Sequence, residues 1–241
     1  MTRGDEKAFY PPAAMATQHP DNAGPVYWGE AAYLSAEEEV EECYRCFSEL
    51  GYREYMWDWE GKYVDEAAAD KLLTQHRSFF KRHPLGRDFY LTIRVPNIWY
   101  EKTTRAARAF MSVTTAQDIA LELGLPPAPV FQLILPIADK AERMIELQEI
   151  YGEMIKTKCE VFQSDLCGPL EIEIIPLVEE VDRLMNMGEI LENYCHLRQK
   201  LVGAGLSTIL MALRGSMAET TLPVPDLSPL NRSSNCVSIW V

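Results

Sequence analysis

Four times between residues 55 and 199 the chain passes from a short run of strand-forming residues, through a stop, into a longer helical stretch. That rhythm limits the possible folds more than any other feature, because each helix must cross over the sheet before the next strand begins. The runs are Tyr55-Met56-Trp57, residues 89–95 stopped by Pro96, residues 130–135 stopped by Pro136, and residues 171–175 stopped by Pro176. The helical stretches between and after them are expected from Asp65 through Leu72, Leu73, Phe79 and Phe80, from 101 to about 123 with Gly124 as the stop, from 139 to about 156, and from about 181 to 199. A further helix precedes the first strand: Ser35 and Glu38 form an S-x-x-E capping box, Val40, Cys43, Phe47 and Leu50 recur at helical spacing, and Gly51 ends it. Repeated strand-then-helix units with right-handed crossovers require a parallel sheet, which is either an open α/β sheet or part of a (β/α)8 barrel.

Composition narrows the function. Lys and Arg number 23 against 36 Asp and Glu, a net charge of −13, so a general nucleic-acid binder is excluded for want of a basic face, and an anionic membrane surface would repel the chain in the same way. At 47% hydrophobic residues, 241 residues suffice for one large domain or two small ones. The first residues carry acids and no apolar core of a secretion signal, and the longest weakly charged stretch, 201–213, falls short of the roughly 20 residues that span a bilayer. A soluble, cytoplasmic protein is expected. Of the six cysteines only Cys43 and Cys46 form a C-x-x-C pair, inside a helix and without a second pair to complete a zinc site, so reduced thiols are the plain reading.

From Gly203 the character changes. Residues 203–241 hold only Arg214, Glu219, Asp226 and Arg232 as charges, and Pro223, Pro225 and Pro229 break regular elements, so this tail is not expected to continue the α/β rhythm. Gly203-Ala204-Gly205 does not make a dinucleotide fingerprint, since Thr stands at 208 and no clear strand precedes it. The expected organisation is an N-terminal segment over 1–34, a (β/α) unit over 35–201 and a divergent tail over 202–241.

In parallel α/β folds the working residues sit where strands end, at the carboxyl edge. That rule selects Asp58, Glu60 and Lys62 after the first strand, Arg94 and Asn97 at the second, Asp139 past the third, and Glu179 and Glu180 past the fourth. Carboxylates, a lysine and an arginine on one rim can hold a divalent cation and an anionic substrate together, although charges at strand ends also serve simply to face water. A polar stretch, Thr17-Gln18-His19-Pro20-Asp21-Asn22, places a histidine in a segment too rich in proline for a helix.

Read together, these segments resemble a known family. Met15 to Asn22 is similar to the N-terminal signature of the archaeal-type phosphoenolpyruvate carboxylases, and Met56 to Lys62, Arg94 to Asn97, Ala128 to Pro136 and Ile174 to Glu179 agree in order and spacing, with Val178 where an aromatic is usual. The resemblance covers roughly residues 13–201. It implies the first half of a (β/α)8 barrel, in an enzyme that joins bicarbonate to phosphoenolpyruvate to give oxaloacetate and phosphate, with Mg2+ or Mn2+, as a homo-oligomer, tetrameric in the family. It further implies His19 as the proton acceptor in the release of CO2 from carboxyphosphate, Glu179 as a metal ligand, and Arg94, with Lys62 beside it, as cations for the substrate. The family's Ser-Asp segment, which carries a second metal ligand, is not found between Arg198 and Val241. The alternative expectation is therefore an inactive remnant or assembly-type protein of the same family.

Overall fold

The computed structural model describes residues 15–17, 26, 28–29, 35–59, 65–126, 129–162, 171–178, 181–202, 209–213 and 237–240. Among the described residues seven strands form one sheet in chain order: β1 (Met15–Thr17), β2 (Glu54–Asp58), β3 (Tyr90–Arg94), β4 (Gln132–Leu135), β5 (Glu173–Val178), β6 (Ile209–Leu213) and β7 (Val237–Trp240). Every neighbouring pair is parallel. The helices are α1 (Ala36–Ser48), α2 (Ala68–Gln75), α3 (Arg77–Arg82), α4 (Thr103–Glu122), α5 (Ala141–Phe162), α6 (Val181–Met185) and α7 (Met187–Val202). The expected class, an α/β chain with a parallel sheet, is therefore present.

Local chemistry explains most boundaries. The capping box of α1 is formed as read: the Glu38 amide donates to Ser35 Oγ at 3.2 Å and the Ser35 amide to Glu38 Oε2 at 2.8 Å. Gly51 and Gly124 stop their helices with φ of +77° and +66°, a region open to glycine at little cost. Asp65 does not cap α2, which begins three residues later; its carboxylate accepts from the Ala67 amide at 2.9 Å and holds the turn that leads in. The single helix expected from Asp65 to Phe80 is two, broken at His76, whose ring stacks on Tyr44 with centroids 3.6 Å apart.

Two further expectations fail. Pro176 lies inside β5 and does not end it, since it pairs with Leu135, the last residue of β4. The Glu173 amide donates to Phe131 O of the β4 segment, so by alternation the amide that Pro176 lacks would face the other side, where pairing with β6 begins only at Leu177 with Ala212 and continues at Val178 with Leu213. The tail also contributes regular structure: β6 continues the sheet beyond α7, and β7 adds to β6.

Strands β2 to β5 are buried on both sides, as the strands of parallel sheets are. Tyr55, Trp57, Leu91, Ile93, Leu133, Leu135 and Ile174 alternate onto one face and join Val40, Phe47, Leu72, Ala109, Val113, Met144 and Leu147 of the helices in a continuous core. Tyr194 pins α7 to this layer: its hydroxyl donates to Gln148 Oε1 and accepts from the Ile174 amide, both at 3.3 Å. The opposite face carries a small apolar cluster, Met56, Ile134, Ile175 and Leu177, and polar residues above and below it.

Candidate active site

Alternation along the strands gives this second face its order. Glu54, Met56 and Asp58 of β2 share it with Tyr90, Thr92 and Arg94 of β3, with Gln132 and Ile134 of β4, and with Glu173, Ile175 and Leu177 of β5. The middle is apolar, and polar groups stand at both ends.

At the carboxyl end Asp58 and Arg94 are register partners on adjacent strands. The Arg94 guanidinium donates from Nε to Asp58 Oδ1 at 2.7 Å and from Nη2 to Oδ2 at 2.5 Å, a two-pronged charged hydrogen bond. Arg94 is 4% exposed and Asp58 not at all. The backbone around the pair is tied as well: the Trp59 amide donates to Arg94 O and the Val95 amide to Ile134 O, both at 3.0 Å. Asn97, also marked by its place after β3, is buried and bridges two strand ends, its Nδ2 donating to Pro136 O at 2.8 Å while its Oδ1 accepts from the Trp99 amide at 3.0 Å.

Past β4 the chain turns sharply. Ile137 has φ of +53°, a costly conformation for a β-branched residue, and it is held between the Asn97 bond to Pro136 and the bond from the Ala138 amide to Leu177 O. This turn delivers Asp139 to a cluster that sequence reasoning did not assemble. Arg143 Nη1 donates to both oxygens of Asp139, at 3.1 and 3.0 Å, and to the Tyr100 hydroxyl at 2.7 Å, while Arg183 Nη1 lies 3.8 Å from Asp139. The Arg143 guanidinium also lies over the rings of Trp99 and Tyr100. The Tyr100 bond, then Asp139, hold its pKa above the ordinary arginine value. The segments that follow β3, β4 and β5 are thereby linked at the carboxyl edge.

At the amino end of the same face a polar row crosses four strands. Thr92 Oγ1 donates to Glu54 Oε1 at 2.9 Å, and Gln132 Nε2 donates to Glu173 Oε2 at 3.1 Å. Burial pushes the Glu54 carboxyl up to about 7, against the Thr92 bond, which favours the anion. Only a polar residue at the head of otherwise apolar strands could have signalled this row in the sequence.

Of the residues expected to act, Arg94 is placed at the carboxyl edge in contact with Asp58. His19, Lys62 and Glu179 lie outside the described residues, as do Glu60 and Glu180. Among the described residues no cluster of three or more histidine, cysteine, aspartate or glutamate side chains could hold a metal ion, and no helix is long and apolar enough to cross a membrane. Cys43 and Cys46 are free, buried thiols whose pKa values burial raises, that of Cys46 to about 12, so neither is a ready thiolate.

A parallel sheet with crossover helices and charged groups gathered at its carboxyl edge defines an α/β protein of the kind that works at its strand ends. Within that class the chain belongs to the archaeal-type phosphoenolpyruvate carboxylase family. The family model described as phosphoenolpyruvate carboxylase matches residues 12–210. The phosphoenolpyruvate carboxylase of Oenococcus oeni is 39% identical over 209 residues, 85% of this chain and 41% of that protein. Those of Methanothermobacter thermautotrophicus and Pyrococcus horikoshii are 36% and 37% identical over 199 and 193 residues, each covering 76% of this chain and 40% and 41% of the relative. The chain thus spans about two-fifths of the length of the curated relatives it matches. The family match reaches into β6, nine residues further than the resemblance read from motifs alone.

Proposed function

We propose that the chain carries part of the catalytic apparatus of a phosphoenolpyruvate carboxylase, which forms oxaloacetate and phosphate from phosphoenolpyruvate and bicarbonate. The observation that carries this reading is a buried Arg94 at the carboxyl edge, within a match to the family over residues 12–210. Phosphoenolpyruvate presents a phosphate and a carboxylate, both planar-fork acceptors for a guanidinium, and a cation at the edge binds and orients it out of bulk water. Lys62 is proposed as a second cation and His19 as the base that takes the proton of carboxyphosphate. We assign residues 35–201 to the first half of a (β/α)8 barrel, a reading supported by parallel strands in chain order, of which β2 to β5 are buried on both faces. The polar face described above is then the barrel interior.

Glu179, which directly follows the last residue of β5, is proposed to hold the Mg2+ or Mn2+ that supplies positive charge to the enolate when bound. The described residues contain no set that would complete its coordination. A cytoplasmic setting and a homo-oligomer belong to the same proposal. The test is oxaloacetate formation from phosphoenolpyruvate and bicarbonate, with Mg2+, by the purified 241-residue chain. Activity that chelation abolishes and Arg94→Lys cuts by about a hundredfold supports the reading. A folded chain without activity supports the alternative of a non-catalytic family member.

A further inference from the structure

We propose that Asp58 is a positioning residue, which fixes the Arg94 guanidinium in one orientation so that an incoming anionic substrate meets a cation already aimed. The inference rests on the reading of Arg94 as a substrate-binding residue.

Three observations carry it. The first is geometry: the two bonds use Nε and Nη2 against the two oxygens of one carboxylate, which sets both the plane and the direction of the guanidinium. Because Asp58 and Arg94 are register partners on adjacent strands, the ladder fixes the distance between their Cα atoms, and the backbone bonds of Trp59 and Val95 hold the strand ends on either side. The second is cost. Removing two charges from water is expensive, and an apolar pair of similar volume would hold two strands together as well or better. The preceding rung on the same face, Met56 with Thr92, is buried and carries no charge. The third is position. The pair stands at the carboxyl end of both strands, where ligands approach a parallel sheet.

The advantage lies in entropy and in discrimination. A long arginine side chain that must be ordered at the moment of binding weakens the complex, whereas one already held by Asp58 has lost that freedom on folding. A planar fork aimed in one direction also favours ligands whose oxygens match its spacing over simple point anions. With both oxygens on the guanidinium, Asp58 orients a charge and does not itself move a proton.

The full 241-residue chain, labelled with 15N-arginine, is titrated with phosphoenolpyruvate by calorimetry and observed through the Arg94 Nε–Hε cross-peak, which Arg94→Lys identifies by its disappearance. Asp58→Asn is expected to weaken affinity about tenfold or more and to remove the cross-peak's protection from solvent exchange, with circular dichroism reporting the fold. Asp58→Glu keeps the charge but shifts the carboxylate by a methylene, and is expected to keep a protected cross-peak at a new position with an intermediate affinity. It also provides the test should Asp58→Asn fail to fold. Unchanged affinity in both variants, or an Arg94 cross-peak that Asp58→Asn leaves protected, overturns the proposal. Equal affinity of the parent chain and Arg94→Lys, or no binding by the parent chain, overturns the substrate-binding reading and with it the purpose assigned to Asp58, while the cross-peak still reports separately whether Asp58 orients Arg94.

Discussion

Glu54 makes the stability of this protein depend on pH in a direction opposite to that of most carboxylates. Its carboxyl rises from an ordinary 4.5 to about 7 because burial disfavours the anion more than the Thr92 hydroxyl favours it, and its Oε2 is a buried oxygen without a hydrogen-bond partner. A folded-state value above the unfolded one means that the native state binds the proton more tightly, so stability falls as the pH rises between the two values. At about 1.4 kcal/mol per pH unit, the span from 4.5 to about 7 corresponds to about 3 kcal/mol, absent below 4.5 and fully expressed above 7. Glu54→Gln keeps an acceptor for Thr92 and removes the ionisation. The variant is therefore expected to exceed the parent by about 1 kcal/mol at pH 5 and by about 3 kcal/mol at pH 8. The assay is urea unfolding at pH 5, 6, 7 and 8, followed by the fluorescence of buried Trp57 and Trp59. Other groups, such as His76, whose pKa is lowered by burial, cancel when the two proteins are compared at each pH. A difference that does not change with pH, or that grows toward acid, would refute the reasoning.

Replacing Asp58 alone by alanine should cost about 3–5 kcal/mol in urea unfolding, since it strands a buried guanidinium, whereas Asp58→Leu combined with Arg94→Met should fold with about the parent's stability; a double variant as unstable as the single one would show that the pair is needed for adhesion. Ser35→Ala removes half of the α1 capping box and should cost about 1 kcal/mol, measured by thermal unfolding at neutral pH, and no loss would show that the Glu38 side chain suffices as a cap.

The strand-then-helix rhythm was legible in the sequence because buried parallel strands read as apolar runs and because glycines and a capping box mark helix ends. Pro176 misled for a definable reason: proline usually ends a strand, but here the amide it lacks would turn away from β4, on the side where pairing with β6 begins only at Leu177. The short strands β6 and β7 lie in a segment whose prolines and low charge suggested no regular structure, and pairing with β5, not local propensity, accounts for β6. Asp58 and Arg94 were each marked by their place at strand ends, yet their union is a fact of register, which no single strand encodes. The Tyr100, Asp139, Arg143 and Arg183 cluster was missed for the same reason, since it joins the segments that follow three different strands. Glu54, Gln132 and Glu173 were passed over because a polar residue opening a strand looks like a solvated end.

Because strand order equals chain order, each strand pairs only with those made just before and just after it. Such a chain can be assembled as it emerges from the ribosome, each new unit docking on an edge already laid down, with no need to wait for distant partners. The same arrangement means that every intermediate length exposes one fresh parallel edge. The pace of synthesis relative to docking therefore governs how long that edge is open to the wrong neighbour.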